Sequence, residues 1–126
     1  MKLNHFAVAS NSEEESKKFF GELLNLNKTR DFSVPSNLME KFFDIKKEKR
    51  IIRYENENFA AEVFITEDKT KRKDMFTHVC LEVENKDLIV NKTKELGFKV
   101  IQVPRENREG YYLFIQDGFG NIYEIK

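Results

Sequence analysis

The chain has 126 residues, of which 40% are apolar and 35% are charged, and this is typical of one globular domain with a well-solvated surface. Lys plus Arg and Asp plus Glu each number 22, so the formal net charge is zero. This balance predicts no nucleic-acid partner, and the lack of an apolar run of membrane-spanning length predicts no membrane partner. The single cysteine, Cys80, excludes an internal disulfide, and we expect a cytoplasmic protein.

The first half of the chain predicts a strand, a helix and then a mixture of extended and helical segments. Residues 3–9 alternate as in a strand, and Asn11-Ser12 followed by three glutamates predicts the start of a helix. The later elements are an extended segment at 26–34, a short helix at about 36–44, and a hairpin with strands at about 50–55 and 59–65.

The second half predicts the same order of elements. A strand at 76–83 precedes a helix at about 86–96, and three strands follow in "FKVIQVP", "GYYLFIQD" and "NIYEIK". A shift of 73 residues places His5 on His78, Glu22 on Glu95 and Leu23 on Leu96 without a gap. We therefore predict two copies of one unit: module 1 at about 1–66, a polar linker at about 67–74, and module 2 at about 75–126.

Each half ends in a strand that carries one carboxylate among apolar residues. These carboxylates are Glu62 in "FAAEVFI" and Glu124 in "NIYEIK". Strand alternation allows both to face the same side of a sheet as the two histidines of the chain, His5 and His78. Because an unpaired buried carboxylate costs several kcal/mol, each needs a cation, a proton or an exposed cavity.

A strand His at the start of each half, a strand Glu at its end, and the ending "DGFGNIYEI", similar to "DPDGNxIEL", together resemble the vicinal oxygen chelate superfamily. This superfamily includes glyoxalase I, methylmalonyl-CoA epimerase, fosfomycin-resistance enzymes, bleomycin-binding proteins and extradiol dioxygenases. The resemblance implies an α+β fold, in which two βαβββ modules form a curved mixed sheet cup with helices on the outer face. The whole chain, 1–126, would then be a single glyoxalase-like domain.

The resemblance also implies a metal site with four ligands: His5, Glu62, His78 and Glu124. Their order is similar to that of bacterial glyoxalase I. Two imidazoles and two carboxylates suit one divalent ion such as nickel, cobalt, zinc, manganese or iron. Within such a site, Glu124 or Glu62 would be the catalytic base.

The function that the resemblance implies is that of a metal-dependent lyase or isomerase. It would act on a small substrate with vicinal oxygens through an enediolate or enolate intermediate. Arg53, Tyr111 and Arg108 are candidate substrate contacts, although surface solvation or core packing also explains them. Small members of this superfamily pair, so we expect a homodimer.

Two alternatives stay open. One is a metal-free ligand-binding or drug-sequestering protein of the bleomycin-resistance type, and the other is an epimerase of the methylmalonyl-CoA type. A ring-cleaving dioxygenase is disfavoured, because Glu62 would be a fourth ligand where two histidines and one carboxylate are needed. The sequence does not decide the substrate, the native metal, whether the site lies within one chain or across two, or whether the protein is catalytic.

Overall fold

The computed structural model describes all 126 residues, which divide into two compact units, Met1–Thr70 and Lys71–Lys126. Each unit is built on a four-stranded mixed sheet. No helix has both the length and the apolar character needed to cross a membrane.

The first unit contains four strands and two helices. In chain order they are β1 (Phe6–Ser10), α1 (Glu13–Ser16) continued by a π-helical segment (Lys17–Leu23), β2 (Asn27–Val34), α2 (Ser36–Phe43), β3 (Lys49–Glu55) and β4 (Ala60–Ile65). The strand order in the sheet is β1-β4-β3-β2. The β1 strand is parallel to β4, and the other pairs are antiparallel.

The second unit contains four strands and one helix. In chain order they are β5 (His78–Leu81), α3 (Lys86–Glu95), β6 (Lys99–Pro104), β7 (Tyr111–Gln116) and β8 (Ile122–Ile125). The strand order is β5-β8-β7-β6, with β5 parallel to β8. This is the topology of the first unit, so the predicted α+β fold with two βαβββ modules is confirmed, and α2 is an insertion in the first module.

The helix-covered face of the first sheet holds most of that unit's core. Phe20 of the π-helical segment stacks on Tyr54 of β3 with 5.7 Å between ring centroids. Ile52 and Val63 are fully buried on the same face. The sequence predicts an ordinary helix here, but Leu24 N–H donates to Phe19 C=O, five residues back, as in a π-helix. A π-helix has more residues per turn than an α-helix, so adjacent side chains are separated by a smaller angle around the helix axis. Phe19 and Phe20 can therefore both face the core, and both are buried.

The inserted helix α2 contacts the other face of the first sheet. Its Phe43 packs edge-on against Phe64 of β4, with 5.7 Å between centroids. Phe64 lies two residues from Glu62 on β4 and therefore on the same face. We call this the site face of the first sheet. Met39 of α2 is buried, and the helix ends at Asp44 in the left-handed conformation.

The turn before β8 is organised around one buried carboxylate, Asp117. Its Oδ1 accepts hydrogen bonds from the backbone N–H groups of Phe119, Gly120 and Asn121 at 2.9–3.0 Å. Its Oδ2 accepts from the Asn121 amide at 2.7 Å and from the Tyr123 hydroxyl at 3.3 Å. Burial raises the pKa of the Asp117 carboxyl, although the hydrogen bonds from Asn121 oppose this shift. The "DGFG" turn is thus held by side-chain acceptors that satisfy buried donors.

Candidate functional site

In the first unit the structure brings His5 and Glu62 together. The register of the parallel pair places Ala7 opposite Glu62, and His5 lies two residues before Ala7, on the same face. The His5 Nε2 is 3.3 Å from the Glu62 Oε2, and the two side chains are 37% and 16% exposed. The pair is therefore partly buried yet open to a small molecule.

In the second unit His78 and Glu124 form the matching pair. Cys80 lies opposite Glu124 in the parallel register, and His78 lies two residues before Cys80. The His78 Nε2 is 3.4 Å from the Glu124 Oε2, and the side chains are 37% and 21% exposed. Distances and exposure thus repeat those of the first pair.

The second oxygen of each carboxylate faces a cation. Glu62 Oε1 accepts from Arg53 Nη1 at 3.2 Å, and Glu124 Oε1 lies 3.4 Å from Lys126 Nζ. In each unit one carboxylate oxygen therefore contacts a cationic side chain, while the other contacts an imidazole. The Arg53 guanidinium also pairs with Glu55, whereas the Lys126 side chain is 62% exposed and has more freedom to move.

The other ring nitrogen of each histidine identifies the tautomer. His78 Nδ1 lies 2.7 Å from the Phe76 carbonyl oxygen, which can only accept, so this nitrogen carries a proton. His5 Nδ1 makes the equivalent contact with the Asn4 side-chain oxygen at 2.9 Å. In the neutral imidazole the Nε2 lone pair then faces a carboxylate oxygen, and two acceptors at this distance need a proton or a cation between them.

The donor chemistry of each pair therefore fits a divalent metal. An imidazole whose outer nitrogen donates to a fixed oxygen is the usual form of a metal-ligating histidine. No group of three or more His, Cys, Asp and Glu side chains in the structure is arranged to hold a metal ion. Each unit contains one histidine–glutamate pair.

The pKa of Glu124 reflects its surroundings. Partial burial raises the pKa, but the hydrogen bonds and charges of Lys126 and His78 outweigh it and lower the pKa below its usual value. The carboxylate is thus ionised at neutral pH, as a metal ligand or a general base must be.

The three candidate substrate contacts lie in different surroundings. Arg53 sits between Glu55 and Glu62, so its charge is compensated. The Tyr111 hydroxyl donates to Asp87 of α3 at 3.1 Å, on the helix-covered face of the second sheet. Arg108 borders a cavity of about 370 Å³ formed by the β6–β7 loop.

The antiparallel register of β7 and β8 places Tyr112, and not Tyr111, on the same face as Glu124. Phe114 lies opposite Glu124, so Tyr112, two residues earlier, lies on the face of the second sheet that carries Glu124. The Arg105 guanidinium lies 5.0 Å from the centre of the Tyr112 ring. The alternation of the two tyrosines in sequence indicates that one of them faces the site, but only the hairpin register shows which.

A second cavity, of about 420 Å³, lies in the first unit between α2 and the site face of the sheet. Its lining is mostly apolar and includes Ala7, Met39, Phe43 and Phe64, with Asp68 among the polar residues. Hydrogen bonds from Thr70 and Thr66 lower the pKa of Asp68 to about 2. The cavity borders β1, the strand that directly follows His5.

The protein is thus built from two βαβββ modules of the same topology, each with a histidine–glutamate pair on its sheet. The model of the glyoxalase/bleomycin resistance protein/dioxygenase superfamily matches residues 4–114. The chain belongs to this superfamily. No curated protein sequence matches it significantly.

Solved structures share this fold at low sequence identity. A glyoxalase family protein from Bacillus cereus is 14% identical with a TM-score of 0.75, covering 99% of this chain and 92% of its own. One from Enterococcus faecalis is 15% identical with a TM-score of 0.72, covering 98% and 95%. A mutant of the fosfomycin resistance protein FosX from Listeria monocytogenes, complexed with Mn(II) and 1S,2S-dihydroxypropylphosphonic acid, is 12% identical with a TM-score of 0.71, covering 98% and 87%.

Proposed function

We propose that this protein is a metal-dependent lyase or isomerase that acts on a small substrate with vicinal oxygens. The ligands would be His5, Glu62, His78 and Glu124, which hold one divalent ion of nickel, cobalt, zinc, manganese or iron. The observation that carries the proposal is the same contact in both units, in which a histidine Nε2 lies 3.3 or 3.4 Å from a glutamate Oε2. A shared cation relieves this contact in both places.

Glu124 is our candidate for the catalytic base. When bound, a divalent ion supplies a Lewis acid for the negative charge that develops on the substrate oxygens. Glu124 then moves a proton at the adjacent carbon, which gives an enediolate or enolate. Glu62 is the less mobile of the two carboxylates, because Arg53 holds its Oε1 and is itself tied to Glu55. The FosX complex holds a Mn(II) ion and a dihydroxy ligand, which supports a divalent ion and a substrate with vicinal oxygens on this fold.

We further propose that the protein works as a cytoplasmic homodimer. Large apolar side chains are exposed near the candidate ligands in sequence, with Leu3 and Met75 each at 71% and Phe76 at 82%. Exposed apolar groups of this kind favour a protein partner. The four ligands belong to one chain, or two chains contribute a pair each.

A second candidate function is metal-free binding of a small apolar ligand, as in the bleomycin-resistance type. The cavity of about 420 Å³ in the first unit favours it, because its volume and apolar lining are those of small-molecule sites. An epimerase of the methylmalonyl-CoA type would use the same base and metal as our first proposal and differs from it in substrate.

Proton exchange at carbon tests the proposal while the substrate is still unidentified. A panel of hemithioacetals, α-hydroxy ketones and acyl-CoA thioesters is incubated with the protein in D₂O and followed by NMR. We expect deuterium to enter next to a carbonyl only when a divalent ion is supplied. Exchange that survives a chelator contradicts the metal mechanism, and binding without exchange under all conditions favours the second candidate.

A further inference from the structure

The loop between β6 and β7 carries two arginines without acidic partners. Arg50 and Arg53 each pair with two carboxylates, namely Glu13 and Asp31 for Arg50 and Glu55 and Glu62 for Arg53. Arg105 and Arg108 make no salt bridge in the structure. Glu106 and Glu109 belong to the same loop, but neither forms an ion pair with these arginines, so both guanidinium groups are free to bind an anion.

The Arg105 side chain is held in a defined position. Its guanidinium lies over the Tyr112 ring, and its backbone N–H donates to the Gly110 carbonyl at 3.0 Å, which closes the loop. The Nε of Arg105 is buried and has no hydrogen-bond partner. A buried N–H without an acceptor is unfavourable, so an acceptor is expected at this position.

Both arginines line the cavity of about 370 Å³ in the β6–β7 loop. Pro104 and Tyr112 contribute its rigid walls, and Glu106 is its acidic residue. The guanidinium fork matches the two oxygens of a carboxylate or a phosphate-type group. The cavity therefore combines positive charge, a free donor and space for a small anion.

We propose that this cavity binds an anionic oxygen group of the substrate, with Arg105 as its principal contact. The inference rests on the proposed function, since it defines the substrate class of that same site. Tyr112 shares a sheet face with Phe114, which lies opposite Glu124. An anionic group on Arg105 thus orients the rest of the substrate along the face that carries Glu124.

Inorganic phosphate is the probe, titrated calorimetrically at constant low ionic strength into chelator-treated protein. We expect saturable binding that Arg105→Ala weakens at least tenfold, which is about 1.4 kcal/mol. Arg105→Lys keeps the charge but loses the planar guanidinium, so we expect its phosphate affinity to lie between those of the native chain and Arg105→Ala. Arg108→Ala has a smaller effect than Arg105→Ala, because Arg108 does not carry the buried free donor.

Arg30→Ala is the matched control. Arg30 also lies over an aromatic ring, that of Phe32 at 4.5 Å, but in the first unit. Its replacement leaves phosphate affinity unchanged if the proposal holds. Absence of saturable binding to the native chain, or an equal loss in Arg30→Ala, overturns the inference. Because the titration uses metal-free protein, this failure leaves the proposed metal site untouched.

Discussion

Replacing Glu124 by glutamine lowers the rate of metal-dependent turnover by about 10²–10⁴, the usual contribution of a general base. Glutamine keeps the shape of the side chain and an oxygen ligand but cannot accept the substrate proton. The measurement is the initial rate of deuterium exchange with the best compound of the panel, with bound metal determined on the same sample. A retained rate contradicts the assignment of Glu124 as base.

Glu62→Gln is the matched variant, because Glu62 occupies the corresponding position in the first unit. Its Oε1 is held by Arg53, so we expect Glu62 to act as a ligand and its replacement to lower metal affinity more than it lowers the rate at saturating metal. A larger rate loss in Glu62→Gln than in Glu124→Gln would reverse the two roles. Comparable metal-saturated rates for both variants and the native chain would exclude either carboxylate as the base.

Replacing Asp117 by alanine lowers the free energy of unfolding by about 3–5 kcal/mol, as for other losses of a buried hydrogen-bond network. Three backbone N–H groups, the Asn121 amide and the Tyr123 hydroxyl lose their acceptor in the interior. Asp117→Asn retains one acceptor oxygen, so it should cost less. Urea unfolding followed by far-UV circular dichroism measures both variants.

Asp74→Ala is the control for Asp117. The Asp74 carboxylate also accepts from two backbone N–H groups, those of Phe76 and Thr77, but it is exposed, so water replaces it. We expect a clearly smaller loss of stability than in Asp117→Ala. Equal losses in the two variants would show that burial of the Asp117 network contributes little.

Much of the fold follows from periodicity in the sequence. Alternating apolar residues predict β1 and β4, and the matching order of elements predicts the duplicated topology. The alternation of side chains along a strand also predicts that His5 and Glu62 can lie on the same face of the sheet. Contact between them depends in addition on the parallel register, in which Ala7 lies opposite Glu62, and no local pattern specifies that register.

Other features depend on contacts between distant parts of the chain. The π-helical geometry, in which Phe19 and Phe20 are both buried, is not revealed by helical spacing alone. The charge of Arg53 is balanced by Glu55 on its own strand and by Glu62 on β4. The second of these ion pairs depends on the pairing of β3 with β4, in which Arg53 lies opposite Glu62. The position of Lys126 beside Glu124 was accessible from sequence, since residues two apart on a strand share a face.

The stoichiometry of bound metal tests the central claim most directly. Elemental analysis is carried out on protein purified without an affinity tag and supplied with each candidate ion, for the native chain, His5→Ala and His78→Ala. We predict one divalent ion per chain in the native protein and its loss in both variants, because in our proposal both histidine–glutamate pairs hold the same ion. Two ions per chain, or an ion retained when either histidine is replaced, would contradict a single shared site.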